Sequence, residues 1–281
     1  MMKAYLSFIF SCLVLCAASQ DLQVMSYNIR LNLASDSMNA WPYRKDKLVS
    51  VVLFHEAHLL GVQEALPEQM ADLQLSLPAY KYVGVGREDG KMKGEFSAVF
   101  YDTTRIQLLQ SNTFWLSTTP TTAGSKSWDA ALPRIATWAK CRDRVTKKIF
   151  FVFNTHFDHR GTVARRESAL LLKQEVHRIA GTSPVIIMGD FNAKPADEPI
   201  RIMLEKTDPL RFTDTRELSK TPHYGPDGTF NGFGPAEVDN QPIDYIFIKG
   251  NWKVKRHATI SQTWQGRFAS DHFAVLARLA L

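Results

Sequence analysis

Apolar and polar positions along the chain follow two periods. Short runs that alternate, or that are apolar throughout, predict strands over residues 22–29, 59–62, 80–85, 96–101, 106–110, 136–142, 149–157, 185–188, 243–248 and 273–279. The run at 149–157 is the strongest, being rich in β-branched and aromatic residues. Between these runs the period lengthens. Leu48, Val51, Val52 and His55 mark a helix over 44–57, and Pro78 stops a second helix over 68–77. Leu170, Leu171, Val176 and Ile179 form the apolar stripe of a third over 163–180, and a short fourth lies near 199–205. No repeat or low-complexity linker interrupts the pattern. About ten strands with a few interleaved helices in one domain predict two packed sheets covered by helices.

The N-terminus departs from this pattern. Lys3 precedes a short apolar run ending in Ala17, Ala18 and Ser19, followed by polar Gln20 and Asp21. This reads as a secretory signal over residues 1–19, cut after Ser19, which leaves one domain over 20–281 and an exported, secreted or periplasmic protein. The run is short for a membrane span. Leu15 is bulky where a lipoprotein signal needs a small residue, so no lipid anchor and no stable membrane insertion are expected. Removal of Cys12 and Cys16 with the signal strands Cys141, and no intramolecular disulfide is then possible. The composition, 45% hydrophobic and 22% charged, is that of a globular domain large enough to bury a full core. A net charge of +6 without a dense basic run attracts polyanions only weakly, and does not by itself choose a substrate. The protein is expected to act as a monomer.

Chemistry-bearing residues gather at strand ends. Asn28 and Glu64 follow the first two apolar runs, His156 closes the strongest, and Asp190 and Asn192 follow residues 185–188. Asp244 opens the run at 243–248, while Asp271 and His272 precede the last. Singly, each has an ordinary explanation as a turn former, a cap or a core histidine. Together they supply what hydrolysis of a phosphoester needs. Carboxylates hold a hard cation, a base activates water, and amide and imidazole groups donate to phosphate oxygens. Asp244, among apolar neighbours, needs a partner, and His272 can supply one.

Six segments carry a resemblance: Ser26–Tyr27–Asn28–Ile29–Arg30, Gly61–Val62–Gln63–Glu64, Asn154–Thr155–His156–Phe157, Met188–Gly189–Asp190–Phe191–Asn192, Ile243–Asp244–Tyr245–Ile246 and Ser270–Asp271–His272. In this order, and over nearly the whole chain, they resemble the endonuclease/exonuclease/phosphatase superfamily, the fold of pancreatic deoxyribonuclease, here as a secreted bacterial-type member. The resemblance implies an α/β fold, a four-layer α/β/β/α sandwich of two mainly antiparallel sheets flanked by helices. It implies that Glu64, with Asn28 and Asp271, holds Mg2+ or Mn2+. Asp190 would activate water, Asn192 would hold the phosphate, and Asp244 would orient His272. His156 matches the second histidine of the deoxyribonuclease-like branch, and Glu95 is the counterpart of the glutamate that supports it there.

Substrate contacts are less well marked. The loop over 112–138 offers Trp115, Trp128, Arg134 and Trp138 for a cleft wall, Asp158 faces the same side as His156, and Arg165 is placed to bind a phosphate. The leading expectation is a nuclease-like phosphodiesterase, which the pair His156 and His272 favours. A phosphomonoesterase acting on a sugar, inositol or lipid headgroup phosphate is the alternative, favoured by the modest charge. An inactive binding module is disfavoured by the complete residue set. The partner is thus a phosphoester, either nucleic acid or a small phosphorylated metabolite.

Overall fold

The computed structural model describes residues 21–234 and 239–281; the expected export signal, with Cys12 and Cys16, lies outside the described residues. The strands are β1 (Leu22–Asn28), β2 (Leu59–Ala65), β3 (Tyr80–Val83), β4 (Phe96–Asp102), β5 (Ile106–Trp115), β6 (Ile135–Asp143), β7 (Ile149–His156), β8 (Val185–Asp190), β9 (Thr213–Asp214), β10 (Asp244–Lys249), β11 (Lys253–Ile260), β12 (Thr263–Trp264), β13 (Arg267–Phe268) and β14 (Ala274–Ala280). The α-helices are α1 (Lys45–Phe54), α2 (Pro67–Ser76), α3 (Thr162–Ala180) and α4 (Glu198–Leu204). None of the described helices is long and apolar enough to cross a membrane.

Two six-stranded sheets form, in the orders β11-β14-β1-β2-β4-β3 and β5-β6-β7-β8-β10-β9. Each contains one parallel pair, β1 with β2 and β7 with β8, and is otherwise antiparallel. Alternation along the strands sorts side chains into three cores. The outward face of the first sheet, with Met25, Leu60 and Val62, packs under α1 and α2 through Leu48, Val52 and Leu73. The outward face of the second, with Phe153, Ile187 and Phe247, packs under α3 and α4 through Leu172, Val176 and Ile200. The inner faces meet through Val24, Leu59, Val152, Met188, Ile246 and Val275. The four layers are therefore α/β/β/α.

The inner face changes character along its length, and this positions the site. On β1 it reads Val24, Ser26, Asn28, and on β2 Leu59, Gly61, Gln63. On β7 it reads Val152, Asn154, His156, on β8 Ile186, Met188, Asp190, and on β10 backwards Ile248, Ile246, Asp244. Apolar contact holds one end of the sandwich and polar groups collect at the other. At the transition, Asn154 Nδ2 donates to Val62 O at 2.9 Å and Ala98 O at 2.8 Å, and Gln63 Nε2 donates to Asn154 Oδ1 at 2.6 Å. This buried amide ties the second sheet to the first. Gly61 permits the approach, because a Cβ there would lie 2.8 Å from Asn154 Oδ1.

The sequence pattern predicts none of the short strands β9, β12 and β13, and two larger features also differ from that expectation. β5 runs five residues past Gln110, through a bulge between Leu108 and Gln110, because pairing with β6 overrides the weak strand propensity of Ser111 and Asn112. β11 is an edge strand studded with Lys253, Lys255, Arg256 and His257. Charges on an edge discourage further pairing, and they also hide the strand from a hydrophobic pattern.

Candidate active site

The polar edge is built from the C-terminal ends of β1, β2, β7 and β8 and the start of β10, with Asp271 and His272 just before β14. Backbone irregularities aim its side chains. Glu64 sits in a bulge between Val62 and Ala65 with φ +61, a left-handed conformation unusual for a non-glycine residue. Its Oε1 accepts from Asn28 Nδ2 at 3.1 Å and its Oε2 from Leu31 N at 3.1 Å. Buried Gln69 holds that exit loop by accepting from Asn32 N at 3.0 Å and donating to Arg30 O at 2.9 Å. At Gly189 a Cβ would fall 2.2 Å from Thr155 O, so only glycine lets β8 turn Asp190 beside His156. Asn192 also has positive φ, and its N–H donates to Asp190 Oδ1 at 2.8 Å.

The titratable groups form one buried set. Asp244 Oδ2 lies 2.9 Å from His272 Nδ1 and accepts from Thr229 Oγ1 at 2.6 Å. Burial alone would lower the His272 pKa; the charge and hydrogen bond of Asp244 outweigh it and raise it well above the usual value. His272 is therefore an imidazolium, with Nε2 3.9 Å from Asp190 Oδ2. Burial, then the charge of Asp244, pushes Asp190 up to about 7, against His272, the Asn192 N–H and Asn28, whose Nδ2 donates to Asp190 Oδ2 at 3.0 Å. His156 is driven the other way, well below the usual value, by burial and by Arg134 and Arg87. It is neutral, and Asn192 Nδ2 contacts its Nε2 at 3.0 Å while donating to Phe157 O at 3.0 Å.

Asn28, Glu64 and Asp271 come together as expected. Burial, and among its neighbours Glu64, push the Asp271 carboxyl up against the pull of His272, Arg30 and Arg44. Two carboxylates and an amide at one corner form an oxygen-rich donor set that suits a hard divalent cation. Asp190, Asp244 and His272 also place potential ligand atoms within 4.8 Å of one another. In that trio the His272 imidazolium is paired with Asp244 at 2.9 Å and faces Asp190 at 3.9 Å, an ion-paired relay between the two carboxylates.

A cleft of about 460 Å³ opens above this edge, walled by Arg30, Leu132, Arg134, His159, Phe230 and Ile243 beside the catalytic candidates. Arg134 lines it as expected, and so does Glu95. Glu95, however, spends both oxygens on Arg87, at 2.7 Å each, rather than on His156. The structure corrects two further expectations. Asp158 stands behind the wall, its carboxylate taken by the N–H groups of Ala131, Leu132, Arg160 and Gly161. Arg165 braces the same turn by donating to Asp158 O at 3.0 Å and does not line the cleft. None of the three tryptophans lines it: Trp115 donates to Arg87 O, Trp138 lies against Phe151, and Trp128 is exposed outside the cleft. Thr229 and Phe230, the latter with its ring 5.0 Å from that of His272, lie in the stretch 223–240, whose Gly, Pro and aromatic residues read in the sequence as either the other cleft wall or a long connection; the pattern singled out neither residue.

The sequence model of the endonuclease/exonuclease/phosphatase family matches residues 25–272. A crystal structure of an endonuclease/exonuclease/phosphatase from Bacteroides vulgatus is 39% identical, with a TM-score of 0.87 over 93% of this chain and 99% of that one. The mannosyl-6-phosphatase of Bacteroides thetaiotaomicron is 36% identical, with a TM-score of 0.87 over 92% of this chain and 100% of that one. Nocturnin of Drosophila melanogaster is 27% identical over 286 residues, which cover 86% of this chain but only 42% of that protein.

Proposed function

The chain belongs to the endonuclease/exonuclease/phosphatase family and is a phosphoester hydrolase; from this premise we propose that it is a divalent-metal-dependent phosphomonoesterase acting on phosphorylated sugars. The observation that carries the proposal is the lining of the cleft beyond the phosphate site. Arg134 and His159 offer hydrogen-bonding groups there, Glu95 is committed to Arg87, and among the described residues no tryptophan joins Phe230, whose ring packs on His272, as a platform on which a base would stack. Similarity to a mannosyl-6-phosphatase at 36% identity supports the same choice. On this lining we favour the monoester reading over the nuclease-like diesterase that the paired histidines put first in the sequence.

In the proposed reaction, water attacks phosphorus in line with the departing alcohol. The new oxygen–phosphorus bond forms as the phosphorus–alcohol bond breaks. Asp190, with a pKa near neutrality, takes the water proton, and the alcohol takes one from solvent. His272 offers its Nε2–H to a phosphate oxygen, and Asp244 keeps the ring charged and aimed. Asn192 lies at the phosphate site with both Nδ2 hydrogens engaged, toward His156 Nε2 and Phe157 O, and one of these contacts must give way for it to donate to a phosphate oxygen. Asn28, Glu64 and Asp271 would hold the Mg2+ or Mn2+ ion, which when bound offsets the negative charge of the phosphate oxygens.

Phosphate release from a panel of hexose 6-phosphates, compared with cleavage of bis-p-nitrophenyl phosphate and with Asp190→Asn as the blank, tests the proposal. Preference for the sugar monoesters supports it, and preference for the diester returns the enzyme to the phosphodiesterase reading. We further propose that residues 1–19 direct export; N-terminal sequencing of the protein from the periplasm or medium should begin near Gln20.

A further inference from the structure

We propose that His159 is the specificity residue for the alcohol half of the substrate, presenting its Nε2–H to a sugar hydroxyl, and that Arg134 is the positioning residue that fixes this tautomer. The inference rests on the phosphomonoesterase reading above. Arg134 Nη2 lies 2.9 Å from His159 Nδ1. A guanidinium has no lone pair to offer, so it must be the donor and Nδ1 the acceptor. A neutral imidazole that accepts at Nδ1 carries its proton on Nε2. Burial and the Arg134 charge both lower the His159 pKa, which agrees with a neutral ring. His159 lines the catalytic cleft beside Glu95 and Leu132.

The donor is also held in place. Arg134 is buried, and its Nε lies 3.4 Å from Asp158 Oδ2. Asp158 in turn ties two loops together, accepting from Ala131 N at 3.0 Å and Leu132 N at 3.2 Å on one side. On the other it accepts from Arg160 N at 3.0 Å and Gly161 N at 2.8 Å. Asp129 adds a second tie, accepting from Val163 N at 3.2 Å and Ala164 N at the start of α3. A histidine whose tautomer and backbone are set before substrate arrives loses little freedom on binding. It discriminates against a substrate with no hydroxyl at that position.

Two measurements on the full-length mature protein test this. In long-range 1H–15N spectra at pH 7.5, His159 should show the Nε2–H tautomer, and Arg134→Met should convert it to a mixture. A wild-type Nδ1–H tautomer overturns the assignment whatever the substrate proves to be. In kinetics, His159→Ala should lower the ratio of kcat/KM for hexose 6-phosphate to that for p-nitrophenyl phosphate by about tenfold, the factor one neutral hydrogen bond carries. The loss should lie mainly in KM, and His159→Gln, which keeps an N–H donor, should restore part of it. An unchanged ratio overturns the role of His159 even if the wild type prefers sugar phosphates. A wild type that cleaves only diesters instead overturns the substrate reading, and the sugar contact with it, while leaving the tautomer result standing.

Discussion

Replacing Asn154 by Asp changes one atom of a fully buried side chain and should destabilise the fold in a way that depends on pH. The Asn154 amine serves Val62 O and Ala98 O, and its carbonyl oxygen accepts from Gln63. In the variant an oxygen faces the two carbonyls. An ionised carboxylate there would be repelled and unsolvated, so the folded protein keeps it protonated. Holding an acid of ordinary pKa ~3.9 neutral at pH 7 costs about 4 kcal/mol. The single acid proton serves only one carbonyl, and the other, left without its amide donor, costs about 1–3 kcal/mol more. That total rivals the stability of a typical domain, about 5–15 kcal/mol. Because the folded pKa is raised, the first penalty is absent below the unfolded pKa, grows as pH rises through it, and levels off above the folded pKa. Urea unfolding followed by tryptophan fluorescence at pH 7.5 and 4.5, variant against wild type, measures both parts. A difference below about 1 kcal/mol at pH 7.5, or one independent of pH, would refute the inter-sheet role of Asn154.

Other outcomes follow from the same geometry. Asp190→Asn and His272→Ala should each lower phosphate release by about 10²–10⁴-fold, the range of a lost acid–base group, as read in a phosphate-release assay. Asp190→Asn should leave the melting temperature unchanged or raised, because burial and Asp244 already disfavour the charged form of that carboxyl. Asp158→Asn should cost about 2–3 kcal/mol at pH 7. Although burial opposes it, N–H donors from Gly161, Arg160 and Ala131, with Arg134, hold the Asp158 carboxyl well below the usual range. That stabilisation is present above the unfolded pKa and is lost as pH falls toward the folded one. The difference between variant and wild type in urea melts should therefore shrink from pH 7 to pH 3.

The layers and the catalytic edge were legible because they rest on local patterns. Runs such as Phe150–Phe151–Val152–Phe153 specify strands, and a polar residue after an apolar run marks the end where the sheets stop packing. Asn28, Glu64, His156, Asp190, Asp244 and His272 all lie at such ends. Contacts that depend on tertiary geometry were not legible. Asp158 shares the side of His156 in the strand pattern, yet the turn after β7 wraps backbone donors around it. The pairing of Glu95 with Arg87 arises because the chain between β3 and β4 folds back, with Arg87 N donating to Glu95 O. Thr229 reaches Asp244 across the fourteen residues that separate them in sequence, and no periodicity carries that information.

The central claim is that Glu64 and its neighbours make hydrolysis depend on a divalent cation. The most direct measurement is phosphate release from a hexose 6-phosphate by EDTA-dialysed protein as Mg2+ or Mn2+ is titrated back, with Glu64→Gln in parallel. The account predicts no turnover in EDTA, recovery on adding the metal, and a requirement for at least about tenfold more metal in the variant. Full activity in EDTA, or a Glu64→Gln titration that overlays the wild type, would contradict it.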